Sequence, residues 1–92
     1  MNPAIRHQLV EAARQVQLRE ILTFLYRDHP QGASLEGLKE MLFLHEDVQD
    51  GTLQHLVDES ILVFDGKRYK ITPAARQILD RDPVILMDEF LR

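Results

Sequence analysis

The chain contains no cysteine, which excludes disulfides and zinc–thiolate centres outright. No segment approaches the roughly 20 consecutive apolar residues that a membrane-spanning helix needs. The N-terminal stretch "MNPAIRHQLVEAAR" lacks the continuous apolar run of a secretory leader. Together these absences leave a soluble cytoplasmic protein, with no membrane partner, as the expectation. Glycine is scarce and scattered, at Gly32, Gly37, Gly51 and Gly66, so no glycine-rich loop is there to cradle a phosphate. The histidines, His7, His29, His45 and His55, include no pair four residues apart and no HExxH motif, so a helical metal site is not expected. Ser34 and Ser60 sit where helices begin or end, and no nucleophile elbow surrounds either. The carboxylates are spread too evenly to nominate an acid–base pair, and a short helical chain leaves little room for a deep pocket. An enzyme is not expected, nor a cofactor.

What is present describes one folded unit. Ninety-two residues, 45% of them hydrophobic, suffice for a single modest core. The 11 basic and 15 acidic side chains leave a net charge of −4. Asn2 and Pro3 read as a cap and first turn. Ile5, Leu9, Ala12, Ala13, Val16, Ile21, Leu22 and Leu25 then recur at three- and four-residue spacing. With no Gly or Pro before "DHPQG", this predicts one long helix of about seven turns. The alternative is two helices broken near Gln15 to Gln17. Ser34 caps a second helix with Leu35, Leu38, Met41 and Leu42 on one face. A third helix, capped by Asp47 or Asp50, buries Leu53, Leu56, Val57 and Ile61. "ILVF" and "RYKI" flank "DG" as a hairpin. Thr72 and Pro73 open a fourth helix, and Asp82 and Pro83 a short last one, "VILMDEFLR".

This order, with "LQHLVDESILVFDGKRYKITPAARQIL" running from the third helix into the hairpin and the next helix, resembles the winged helix-turn-helix family of small regulators. The resemblance covers about residues 18–79. Leu53 and Leu56 match that family's two buried leucines, "ILV" its first wing strand, and Ser60 stands where a glycine is common. It implies a mainly α fold with a small β-hairpin: one domain, 1–92, with a core of 18–79. Residues 1–17 would lengthen the first helix and 82–92 would add a last one. It also implies duplex DNA as a partner, the third helix entering the major groove and the wing touching the backbone, in a transcription-associated role. Winged helices also bind RNA or serve as protein-contact modules.

Charge placement divides those roles. Glu46 to Ser60 holds five acids (Glu46, Asp47, Asp50, Asp58, Glu59) and no Lys or Arg, although phosphate attraction supplies most non-specific affinity. Its readers would be Gln49, Thr52, Gln54 and His55, by hydrogen bonds to base edges. The same acidic helix would instead suit a protein partner. Lys67, Arg68 and Lys70 cluster in the hairpin, either as phosphate contacts or as a solvated edge that discourages strand pairing. On two-residue periodicity Arg68 and Lys70 share one face, and Lys67, Tyr69 and Ile71 the other. Tyr69 is expected to pack on the core. In the first helix Arg6, Arg14, Arg19 and Arg27 scatter around the axis and form no basic track. At the ends, Ile5, Leu9, Val16, Leu86, Phe90 and Leu91 offer more apolar surface than the core from Leu18 needs. That surface predicts a homodimer through the terminal helices, or a clasp between the two termini within one chain.

Overall fold

A computed structural model describes residues 3–42 and 46–87, and their side chains apart from those of residues 3 and 41–50. The elements are α1 (Pro3–Ala13), α2 (Val16–Thr23) continued by a π turn (Phe24–Asp28), α3 (Leu35–Leu42), α4 (Glu46–Asp58), β1 (Leu62–Phe64), β2 (Tyr69–Ile71), α5 (Pro73–Arg81) and a 3₁₀ turn (Pro83–Leu86). The molecule is therefore mainly helical, with one small antiparallel hairpin.

The long first helix is broken, and the apolar phase explains why. At 100° per residue, Ile5, Leu9, Ala12 and Ala13 fall roughly opposite Leu18, Ile21, Leu22 and Leu25. A continuous helix would turn one of these sets to water. The chain instead leaves helical geometry at Gln15 (φ −93°, ψ 124°), and all eight residues enter one core. Two tight backbone bonds close α1, from Arg14 N–H to Glu11 O (3.3 Å) and from Gln15 N–H to Ala12 O (3.0 Å). The Arg19 guanidinium adds a bond to the Ala13 carbonyl at 3.2 Å, satisfying a carbonyl the helix end leaves open. Val16, in phase with the first set, ends 57% exposed.

The caps of α3 and α5 follow their sequence signals. The Ser34 hydroxyl accepts from Gly37 N–H at 3.1 Å, and the Thr72 hydroxyl accepts from Ala75 N–H at 3.2 Å while donating to the Ser60 carbonyl at 2.7 Å. Asn2 lies outside the described residues. Helix α4 begins at Glu46, which puts Asp47 and Asp50 inside the helix; neither is its cap. Its C-terminus closes through Ser60, which takes the left-handed region at φ 64°. Ser60 N–H donates to Val57 O and Ile61 N–H to Leu56 O, both at 3.0 Å, and Ile61 and Leu56 are both buried. This is the paired-bond ending of a Schellman motif with its apolar contact.

Of the last helix that "VILMDEFLR" implies, residues 88–92 lie outside the described residues, and the described part is not α-helical. Pro83–Leu86 forms one 3₁₀ turn, and Met87 is already extended (φ −100°, ψ 141°). With three residues per turn, Ile85 is fully buried while Val84 and Met87 face out. α1 packs against both α5 and this turn, and Arg6 Nη2 reaches Asp82 Oδ2 at 2.6 Å. The two ends of the described chain are thus clasped together. Ile5 and Leu9 are buried in that clasp and are spent within the chain, so a dimer could use them only by opening the core. Tyr26, on the π turn, donates to Asp80 Oδ1 at 2.5 Å, and Arg76 lies 5.0 Å from its ring centre, so α5 is also locked to the end of α2. That hydrogen bond and partial burial both hold the Tyr26 hydroxyl above its ordinary pKa.

Candidate nucleic-acid interface

The hairpin pairs Leu62 with Ile71, Val63 with Lys70 and Phe64 with Tyr69, leaving a four-residue loop, 65–68. Arg68, placed on a strand by "RYKI", lies in the loop with Lys67, so the expected alternation of faces begins only at Tyr69 and Lys70 alone of the three cations is on a strand. The Asp65 carboxylate is the reason. Its Oδ1 accepts from Lys67 N–H (2.9 Å) and Arg68 N–H (2.8 Å), and Asp65 N–H donates to Arg68 O at 3.2 Å. Gly66 supplies the positive φ of 98° that this wrap requires. The Arg68 and Lys67 amides, and then the Lys70 ammonium, hold the Asp65 carboxyl below its ordinary pKa.

The three cations of the loop are therefore not equivalent. Lys70 Nζ lies 3.5 Å from Asp65 Oδ2, so part of its charge is already matched. Lys67 and Arg68 are exposed and form no ion pair among the described residues. Beneath them, Ala33 and Tyr69 exchange backbone bonds of 3.0 and 2.8 Å, adding an isolated antiparallel bridge as a third strand position beside β2. Gly32 makes that approach possible. A Cβ there would meet Lys70 Cγ at 2.6 Å and the Tyr69 carbonyl oxygen at 2.9 Å. Tyr69 packs on the core, as expected. Its ring also meets Phe64, with centroids 4.6 Å apart, and Phe64 is 45% exposed. The sequence reading misses Phe64, although it mirrors Tyr69 across "DGKR", the one available signal.

Helix α4 presents a different surface. Gln54 is exposed, but its amide donates to Asp58 Oδ1 at 2.9 Å. His55 is paired with Glu59 and lines a small cavity of about 60 Å³ with Gln8, Glu11, Ala12, Gln15 and Leu18 of the first two helices. His55 thus borders the α1–α2 junction. Thr52 is half-buried, and the side chain of Gln49 lies outside those described. Of the four proposed readers, Gln54 alone is described as both exposed and clear of the α1–α2 junction. The Glu59 side chain is only 14% exposed, and its Oε2 has no hydrogen-bond partner among the described residues.

Among the described residues, those expected at a dimer interface do not form one surface. Ile5 and Leu9 are interior, Val16 is exposed, Leu86 is partly buried against the core, and Phe90 and Leu91 lie outside the described residues. Among those described, no helix is long and apolar enough to cross a membrane. The chain has no significant match among protein-family models, curated proteins or solved structures.

Proposed function

We propose that this chain is a winged helix that binds duplex DNA chiefly through its hairpin, as a transcription-associated regulator. The observation that carries the reading is the loop tip, where Asp65 fixes a turn that leaves Lys67 and Arg68 exposed, with no ion pair among the described residues. Two cations on a fixed loop meet phosphates at little cost in ordering. The order of elements supports the fold assignment, as does the Ala33–Tyr69 bridge, because a wing is a hairpin with a third short strand beside it. Specificity has little support in α4, whose amide reader Gln54 is held by Asp58.

A protein-contact role is the second reading. It is favoured by the Asp58 and Glu59 carboxylates, which occupy the polar side chains of α4 and leave it acidic rather than phosphate-seeking. Binding to mixed-sequence duplex DNA across a salt series separates the two. Replacing Lys67, Arg68 and Lys70 together by Ala should weaken all duplexes alike and flatten the log–log salt slope by about 0.9 for every phosphate no longer neutralised. An unchanged slope rejects the wing as the DNA-binding element. Tight binding of a basic peptide, abolished by Asp58→Lys, would establish the second reading.

A further inference from the structure

Two large apolar residues of the hairpin, Val63 and Phe64, are exposed, and they fall on opposite faces. Val63 pairs with Lys70 on one face. Phe64 pairs with Tyr69 on the other, the face that carries Leu62 and Ile71 into the core. Tyr69 spends both backbone groups on Ala33, its N–H at 2.8 Å and its C=O at 3.0 Å. It therefore shares no ladder bond with Phe64, and pairs of that kind bring their side chains closest. The two rings accordingly meet with centroids 4.6 Å apart and planes at 32°. Tyr69 packs on the core and so backs the Phe64 ring, while Phe64 itself lies past the core's edge, 45% exposed. Just along the chain, Asp65 fixes the loop that displays Lys67 and Arg68, neither of which has an ion pair among the described residues.

From this arrangement we infer that the hairpin takes DNA in which an unpaired strand adjoins a duplex, one unpaired base stacking on Phe64 while neighbouring phosphates meet Lys67 and Arg68. A nucleotide joins the two features that this patch asks for, a flat π face and an anion. Base pairs inside a duplex have both faces covered by their neighbours, so an aromatic platform selects bases that are not so stacked. A ring already held by Tyr69 loses little freedom on binding. Charge on the neighbouring helix favours the same partner. α4 packs against β1, and residues 46–60 hold five acids and no Lys or Arg. Duplex phosphates drawn alongside that segment are repelled, whereas an unpaired strand needs only the hairpin. The inference rests on the DNA reading and narrows its substrate from duplex in general to duplex carrying unpaired bases.

Anisotropy titrations of the full chain with three labelled DNAs test it. One is a blunt duplex, one the same duplex with a short single-stranded overhang, and one carries an abasic overhang, which keeps the phosphates and removes the bases. The overhang should tighten binding about tenfold over the blunt duplex, within the range expected for one stacked base. The abasic overhang should give up most of that gain. Phe64→Leu keeps an apolar side chain without the ring. It should bind blunt duplex as the wild type does, which shows that it folds, and lose the preference for the overhang, whereas Phe64→Trp should keep it. Lys67→Ala together with Arg68→Ala should weaken all three DNAs. Equal affinity of the wild type for the base-bearing and abasic overhangs overturns the inference, whatever the variants do. So does a preference that survives in Phe64→Leu. In both cases the DNA reading stands as long as the blunt duplex binds. Binding to none of the three overturns the inference and the DNA reading together, as would occur if the patch serves a protein.

Discussion

Ser60 holds a left-handed backbone at φ 64° with a side chain that contributes nothing visible in return. It is exposed, and its hydroxyl has no hydrogen bond among the described residues. An L-residue in this conformation costs roughly 1–2 kcal/mol relative to glycine. Glycine gives back part of that through the greater freedom of its unfolded chain, about 0.5–1 kcal/mol. Ser60→Gly should therefore stabilise the protein by a net of about 0.5–1 kcal/mol. The two backbone bonds that close α4, Ser60 N–H to Val57 O and Ile61 N–H to Leu56 O, are untouched by the change. So is the bond from the Thr72 hydroxyl to the Ser60 carbonyl. For a chain of this length the gain is a rise in Tm of roughly 2–8 °C, read by calorimetry. In urea the midpoint should move up by a few tenths of a molar with an unchanged slope. A Tm that stays level or falls would mean that the αL strain is absent, or that the hydroxyl does structural work. The reasoning about this helix end would then be wrong.

Gly32 calls for the opposite outcome. Gly32→Ala combines a strained φ of 98° with a Cβ 2.9 Å from the Tyr69 carbonyl oxygen, and should cost about 2–4 kcal/mol, from the strain together with the displaced Ala33–Tyr69 bridge. Urea melts measure the loss, and faster exchange of the Tyr69 amide would localise it; a cost under about 0.5 kcal/mol rejects the close approach. For the loop, Asp65→Ala should collapse the exchange protection of the Lys67 and Arg68 amides, whereas Asp65→Asn, which keeps an acceptor oxygen, should retain much of it. Because the folded carboxyl is depressed, its support for the loop is complete above the ordinary value of 3.8 and is lost as pH falls through the lower folded value. The Lys67 and Arg68 amide shifts should therefore titrate below pH 3.8, and a midpoint at or above that value would discount the two hydrogen bonds.

Most of the architecture is legible as local chemistry. Ser34 and Thr72 behave as caps because a hydroxyl before a helix satisfies an orphaned amide whatever the tertiary setting. The broken first helix is also legible, in the phase of its apolar residues rather than in their spacing. Three- and four-residue intervals continue through Val16, but the stripe changes sides between Ala13 and Leu18. Without Gly or Pro to mark the break, a reading by spacing alone runs the helix on. The 3₁₀ turn at Pro83–Leu86 departs from the expected α-helix for a related reason. "PVILM" contains too few polar positions to define a face, and burial of Ile85 beside α1 decides a tight 3₁₀ turn over an α-helix. Ile5 and Leu9 read equally as surface for a second copy or as part of a clasp within one chain, because an apolar stripe does not say what covers it; among the described residues they are buried, and α1 packs on α5 and the 3₁₀ turn.

The candidate site is less legible because its residues are defined by what restrains them. Lys67, Arg68 and Lys70 are three like cations in the sequence, yet in the fold they differ. Asp65 takes part of the charge of Lys70 while its other oxygen shapes the loop that displays Lys67 and Arg68. One carboxylate thus matches one cation and presents two. The same logic, applied to α4, works against display. Asp58 holds Gln54 and Glu59 holds His55, each one helical turn away, a spacing at which side chains on a helix meet. In the hairpin the acid orders the backbone and leaves two of the three cations exposed, whereas in the helix the acids engage the polar side chains themselves. The hairpin is therefore the stronger candidate for meeting phosphates, although α4 occupies the position that the resemblance assigns to groove recognition.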